Sequence, residues 1–185
     1  MLPKLYYEII NNEEIKINLE EKFDFIIIEN STTDEYMFYS KEKLTIFATD
    51  GTGGVYATIG DGDDLDKLPI AFISSEGQAG KIAKSFNELI ALIIYYPFWK
   101  DILKFSGNGD LKQMRKSITY LEEERIEFVS DFKKVQKNIS IELRIIKKDN
   151  LIENLHKEVM EKPYFTVYSI EDNNTSDTLI GSNIF

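Results

Sequence analysis

Apolar and polar positions change rhythm along this chain. Between residues 44 and 73 the apolar residues come in short runs cut by glycine-rich turns; from residue 80 onward they recur at steps of three and four. Residues 44–49 (LTIFAT) and 55–59 (VYATI) are rich in β-branched and aromatic side chains, which predicts two strands. The intervening Asp50-Gly51-Thr52-Gly53-Gly54 supplies the positive-φ residues of a tight connection, so the two strands are expected to pair antiparallel. Gly60-Asp61-Gly62-Asp63-Asp64 leads to a third strand at 70–73, with Pro69 at its start, where a missing N–H is tolerated. Nine of the ten glycines lie between Gly51 and Gly109, so the turns are concentrated mid-chain.

The helical rhythm begins after Ser75-Glu76-Gly77. Ile82, Phe86, Leu89, Ile90, Ile93 and Ile94 fit one face of a helix over 80–96, which Pro97 ends by disfavouring helical geometry at Tyr96. Asp110 is placed to cap a second helix. Leu111, Met114, Ile118, Leu121, Phe128, Phe132, Val135 and Ile139 then form a seam that only Arg125 interrupts, predicting one long amphipathic helix at about 110–139. Residues 141–146 read as a strand or as the continuation of that helix. Asn150 and Glu153 have capping-box spacing for a short helix that Lys162 and Pro163 close. Residues 164–170 (YFTVYSI) alternate as a strand, and 178–185 form a last short strand or a tail. At the front, 23–29 and 36–39 read as strands with a turn at 31–34, and 5–10 suits either a helix or a strand. Strands first, then helices, then a late strand indicate an α+β fold. The expected architecture is a single domain over 1–185, with a mainly antiparallel twisted sheet and flanking helices.

Composition narrows the chemistry. A chain of 185 residues can bury most of its apolar surface without a disulfide or metal, and it has no cysteine, which removes thiolate chemistry and cysteine-built metal sites. The first residues lack the basic and apolar regions of a secretory signal, and the longest apolar run, 89–98, is far short of a membrane span. A soluble protein of a reducing cytoplasm is expected. The formal charge of −10 disfavours nucleic acid and anionic membranes, and it favours a basic partner.

The motifs that suggest chemistry fail on inspection. The Gly51–Gly54 turn runs into strand-like residues rather than Lys-Ser/Thr and a helix, so it is no P-loop, and Tyr56 stands where the dinucleotide fingerprint needs its last glycine. Counted as a calcium loop from Asp61, the fifth, sixth and twelfth positions are Leu65, Asp66 and Phe72, none of which fits. His156 is the sole histidine, in a lysine- and glutamate-rich helix with no nucleophile motif nearby. Glu122-Glu123-Glu124 has the make-up of a solvated face. Trp99, with Tyr95-Tyr96-Pro97-Phe98, is expected at the edge of the core rather than as an interface anchor. Glu76 is expected at a helix N-terminus, which favours a carboxylate. No cofactor or metal is called for.

One stretch carries a family resemblance. Phe47-Ala48, Asp50-Gly51, Gly53-Gly54, Pro69, Phe72, Ser75-Glu76-Gly77, Ile82-Ala83, Phe86 and Leu89 resemble the SUKH superfamily, which groups bacterial toxin-immunity proteins with the yeast cell-wall-assembly regulator. The resemblance covers roughly residues 36–100 and leaves 107–185 as an unplaced elaboration. It implies a protein-binding scaffold rather than an enzyme, and in bacteria an antidote that blocks a cognate nuclease or deaminase toxin. The partner expected is thus a basic toxin protein, approached by Asp61, Asp63, Asp64 and Asp66 and by the exposed part of 36–56, with Tyr56 and Glu76 as further contacts. The family offers no catalytic residues to carry over. The alternatives are a regulatory scaffold of the cell-wall-assembly type and an enzyme with an unrecognised carboxylate site. The last requires paired acids of raised pKa in a deep pocket.

Overall fold

A computed structural model describes residues 2–62 and 64–180. Two short helices open the chain, α1 (Lys4–Ile10) and α2 (Glu13–Phe23). Six strands follow: β1 (Ile26–Ser31), β2 (Phe38–Tyr39), β3 (Leu44–Thr49), β4 (Val55–Ile59), β5 (Ile70–Ile73) and β6 (Gln78–Ala83). Five helices come next, α3 (Phe86–Tyr95), α4 (Trp99–Lys104), α5 (Leu111–Phe128), α6 (Phe132–Glu142) and α7 (Leu151–Met160), and then the two-residue strands β7 (Tyr168–Ser169) and β8 (Asp177–Thr178). The main sheet has the order β1-β3-β4-β5-β6-β8, antiparallel throughout except for the parallel β6–β8 edge, and β2 pairs with β7 as a separate ribbon. The α+β class and the mainly antiparallel sheet agree with the sequence.

The sheet is the middle of three layers. On one face Phe47, Tyr56, Phe72 and Ile82 meet the helices through Phe86, Leu89 and Trp99. On the other, Ile46, Val55, Ala57 and Ile73 meet Phe38, Phe165 and Val167 from the β2–β7 ribbon and its flanking chain. All five residues of β4 are buried, because both of its faces are covered.

Several elements differ from expectation, each for a local reason. Residues 78–83 are a strand, not the first turns of a helix. Gly77 adopts φ 83°, and Ser74 N–H donates to the Gln78 carbonyl (2.8 Å), which closes a hairpin. Ile82 and Ala83 are buried as strand residues. The helix begins at Phe86, where the Ser85 hydroxyl accepts from the Glu88 N–H (3.2 Å). Glu76 therefore sits in a hairpin turn, not at a helix N-terminus. The long seam is two helices. Val129 takes extended backbone (φ −124°, ψ 90°), and the helix restarts at Phe132. Phe132 and Ile139 stay buried, whereas Phe128 is 77% exposed.

The helix α2 lies in a stretch with little visible pattern, and it is started by Asn12, whose side-chain oxygen accepts from the Ile15 N–H (3.1 Å). The strands expected over 36–39 and 164–170 shrink to two-residue pairings, since residues 33–36 form a 3-10 turn and Met37 takes positive φ (59°). Asn150 occupies the N-cap position of α7 without a side-chain cap bond. Trp99 is fully buried, and the last expected segment lies mostly outside the described residues, with β8 at its start.

Candidate functional site

The loop after β4 holds Asp61, Asp64 and Asp66 in solvent, while Asp63 lies outside the described residues. Lysines answer part of that charge. Lys67 Nζ lies 2.6 Å from the Asp64 carboxylate and Lys43 Nζ 3.7 Å from that of Asp61. The hydrogen bond from Lys67 holds the Asp64 carboxyl below its ordinary value. Glu76 is exposed as well, but at the other end of the sheet: β5 separates its turn from the acidic loop by four residues, roughly 13 Å of strand. Tyr56 is a correction to the sequence reading. It is only 1% exposed, packed edge-on against Phe25 and tilted against Phe72 with ring centroids 5.1 and 4.9 Å away, so it is a core residue and offers nothing to a partner. Burial raises its hydroxyl well above the ordinary tyrosine value, and the charges of Asp50 and Asp24 add to the effect.

The chemistry that does converge lies around the Asp50–Gly54 turn. Asp50 directly follows β3, Asp24 caps α2 in left-handed backbone (φ 53°), and Lys100 is the second residue of α4. Lys100 Nζ donates to Asp50 Oδ2 at 2.7 Å and to Asp24 Oδ2 at 3.0 Å. Asp50 Oδ1 accepts from the backbone N–H groups of Thr52 (2.9 Å) and Gly54 (2.8 Å) and from the Thr52 hydroxyl (2.8 Å). Asp24 Oδ1 accepts from the Gly51 N–H (2.7 Å).

Burial pushes the Asp50 carboxyl up, but the hydrogen bonds from Lys100 and Thr52, the Lys100 charge and the Gly54 N–H outweigh it, leaving Asp50 below its ordinary value. Burial would lower Lys100, and its two aspartates more than offset that. Such a network holds a turn, a helix start and a helix end together. Beside it runs a cleft of about 900 Å³ bordered by Phe98, Trp99, Phe105, Arg125 and Glu76. Burial lowers the Arg125 guanidinium, opposed by Asp24, and Arg125 donates to the Lys22 carbonyl.

A second hollow, of about 470 Å³, opens on the opposite face of the sheet. Phe38, Val55, Ile73 and Val167 form its apolar floor, and Glu35 and Asp172 stand in its lining. Sequence reasoning missed Lys100, Asp24, Glu35 and Asp172. Lys100 and Asp24 carry no local signal, because a lysine on a short helix reads as solvated. Glu35 and Asp172 are 137 residues apart in sequence, and only the β2–β7 pairing unites them.

His156 is half-buried, with Nε2 2.8 Å from the Gly109 carbonyl. No group of three or more histidines and carboxylates placed to hold a metal ion occurs among the described residues, and no helix there is long and apolar enough to cross a membrane. Comparison with known proteins finds no matching family model, no matching curated protein and no matching solved structure.

Proposed function

We propose that the protein is a non-catalytic protein-binding domain, an antidote of the SUKH immunity type that binds and blocks a basic toxin of the nuclease or deaminase class. One observation carries this reading. At the turn, buried Asp50 and partly buried Lys100 are taken up by hydrogen bonds that hold the fold, while Asp66 and Glu76 stand in solvent and Asp61 and Asp64 stand there paired only with the exposed Lys43 and Lys67. A carboxylate serving as a general acid must sit in a cleft and be held protonated near neutral pH. Asp50 is shifted the other way.

The resemblance to SUKH proteins supports the same reading. Phe47, Phe72, Ile82, Phe86 and Leu89 are core residues, and Asp50 and Gly54 build the turn. The pattern is therefore one of folding, which leaves the surface to determine the partner. The charge complements a toxin, whose nucleic-acid groove must be basic.

The test is capture from the native host with tagged protein, followed by assay of whatever co-purifies in stoichiometric amount. A basic nuclease or deaminase domain that loses activity on binding supports the antidote; a large cell-wall or signalling assembly overturns it in favour of the scaffold. With the toxin in hand, Asp61→Lys, Asp64→Lys and Asp66→Lys together should slow association about tenfold at low salt and flatten its salt dependence. Unchanged kinetics would remove the loop from the interface.

A further inference from the structure

We propose that the hollow between the β2–β7 ribbon and the sheet is the seat for a lysine or arginine side chain of the protein partner. The inference rests on the protein-binding reading above and adds where the partner's basic anchor docks.

The floor suits a methylene stem. Phe38, Val55, Ile73 and Val167 are all buried, and they line a space of about 470 Å³, within the range of sites that enclose a side chain or small ligand. Long cationic side chains bury such a stem while keeping the charged head among polar groups. The lining then supplies the polar groups. Glu35 and Asp172 both contribute to it, and no lysine, arginine or histidine does.

Neither carboxylate forms an ion pair with a described lysine or arginine, unlike Asp61 and Asp64 in the acidic loop. Glu35 is met by the hydroxyls of Ser31 and Thr32, each at 3.3 Å, and Asp172 accepts from the Asn174 backbone N–H at 3.2 Å and from the Asn174 amide at 2.5 Å. These are neutral donors, so the negative charge is uncompensated. An anionic ligand would face two carboxylates without a cation, whereas a guanidinium or ammonium group would gain charge-assisted hydrogen bonds.

The surroundings suit a protein surface rather than a free metabolite. Met37 is 51% exposed and Ile170 44%, and the Ile170 N–H donates to the Met37 carbonyl (3.0 Å), which sets the two apolar side chains on adjoining chain segments beside the hollow. Apolar contacts beside a charged anchor exclude water from it, as in the energetic centres of protein interfaces. The occupant is therefore a basic side chain carried on a protein, with apolar neighbours that cover Met37 and Ile170.

The test starts with the intact protein and N-acetyl-arginine methylamide, followed by amide NMR. N-acetyl-glutamate methylamide is the control, and spermidine is the free-polyamine arm. Saturable shifts confined to residues 35–38, 74–77 and 167–176 are expected for arginine and not for glutamate, and they should vanish in Glu35→Gln/Asp172→Asn. Both side chains are exposed, so that variant should fold. Absent arginine shifts, or equal shifts from glutamate, overturn the seat; saturable spermidine binding without arginine binding replaces it with a polyamine site.

On a captured basic partner, the same double variant should weaken binding roughly tenfold. If a toxin is captured and its affinity is unchanged, the seat falls and the antidote reading stands. If the captured partner is no toxin but binds through Glu35 and Asp172, the seat stands and the antidote reading falls.

Discussion

The Nζ of Lys100 lies 2.7 Å from Oδ2 of Asp50, a carboxylate whose side chain has no solvent exposure. That one contact joins the end of β3 to the start of α4, and through Asp24 to the end of α2. Removing one member of a buried pair leaves its partner's charge uncompensated, which costs more than the pair itself contributes. Lys100→Met should therefore lower unfolding free energy by about 3 kcal/mol, and Asp50→Asn/Lys100→Met should cost less than Lys100→Met alone. Urea denaturation of the three proteins checks both. A double variant worse than the single would deny the pair its coupling.

The same pair sets a pH dependence with a definite sign. Asp50 titrates below its ordinary 3.8, so its contribution is complete above about pH 5 and is lost as pH falls through the folded value. Lys100 titrates above its ordinary 10.5, so its contribution is complete below about pH 9 and is lost as pH rises through the folded value. Thermal midpoints of the parent should drop at both extremes relative to Asp50→Asn/Lys100→Met, and the difference should be flat between. A difference that changed through neutral pH would mean another group governs it.

The turn also predicts a steric effect. A Cβ on Gly54 would come within 2.5 Å of Phe72 Cζ and 2.9 Å of Asp50 Oδ2. Phe72 is wedged between Tyr56 and Trp99, with centroids 4.9 and 5.1 Å away, and cannot swing aside. Gly54→Ala should cost about 2 kcal/mol by overpacking, measured by chemical denaturation. A neutral result would show that the aromatic stack has room to move.

Much of the sheet was legible in the sequence because its signals are local. The β3–β4 hairpin, Asp50–Gly54 turn and β5 follow from residue type at adjacent positions. Asp110 likewise announced α5, and its carboxylate accepts from the Lys112 N–H at 2.7 Å. Residues 78–83 misled because Ile82 and Phe86 share both a helical and a mixed strand–helix spacing; what decides between them is the Gly77 turn and the Ser85 cap. The break at Val129 was hidden because the apolar seam resumes in phase at Phe132. Of the candidate contacts, the exposure of Asp61, Asp64 and Asp66 was readable from composition. Tyr56 was not, since a tyrosine on a strand points to either face and here both faces are covered.

That break yields a further prediction. In one continuous helix the seam would bury Phe128 with Phe132. In this structure Phe128 is 77% exposed and Phe132 is 1% exposed. Phe128→Ser should change stability by no more than about 0.5 kcal/mol, whereas Phe132→Ala should cost about 3 to 4 kcal/mol. Equal costs in thermal denaturation would argue for an unbroken helix.

With β4 enclosed on both sides, the positions that specify the fold and the positions a partner can touch form nearly separate sets. Core substitutions speak to whether the chain folds, and rim substitutions speak to what it meets. Under the proposed binding function, a chain divided in this way can be recoded for a new partner by changing loops and the ribbon face, leaving the central strands as they are.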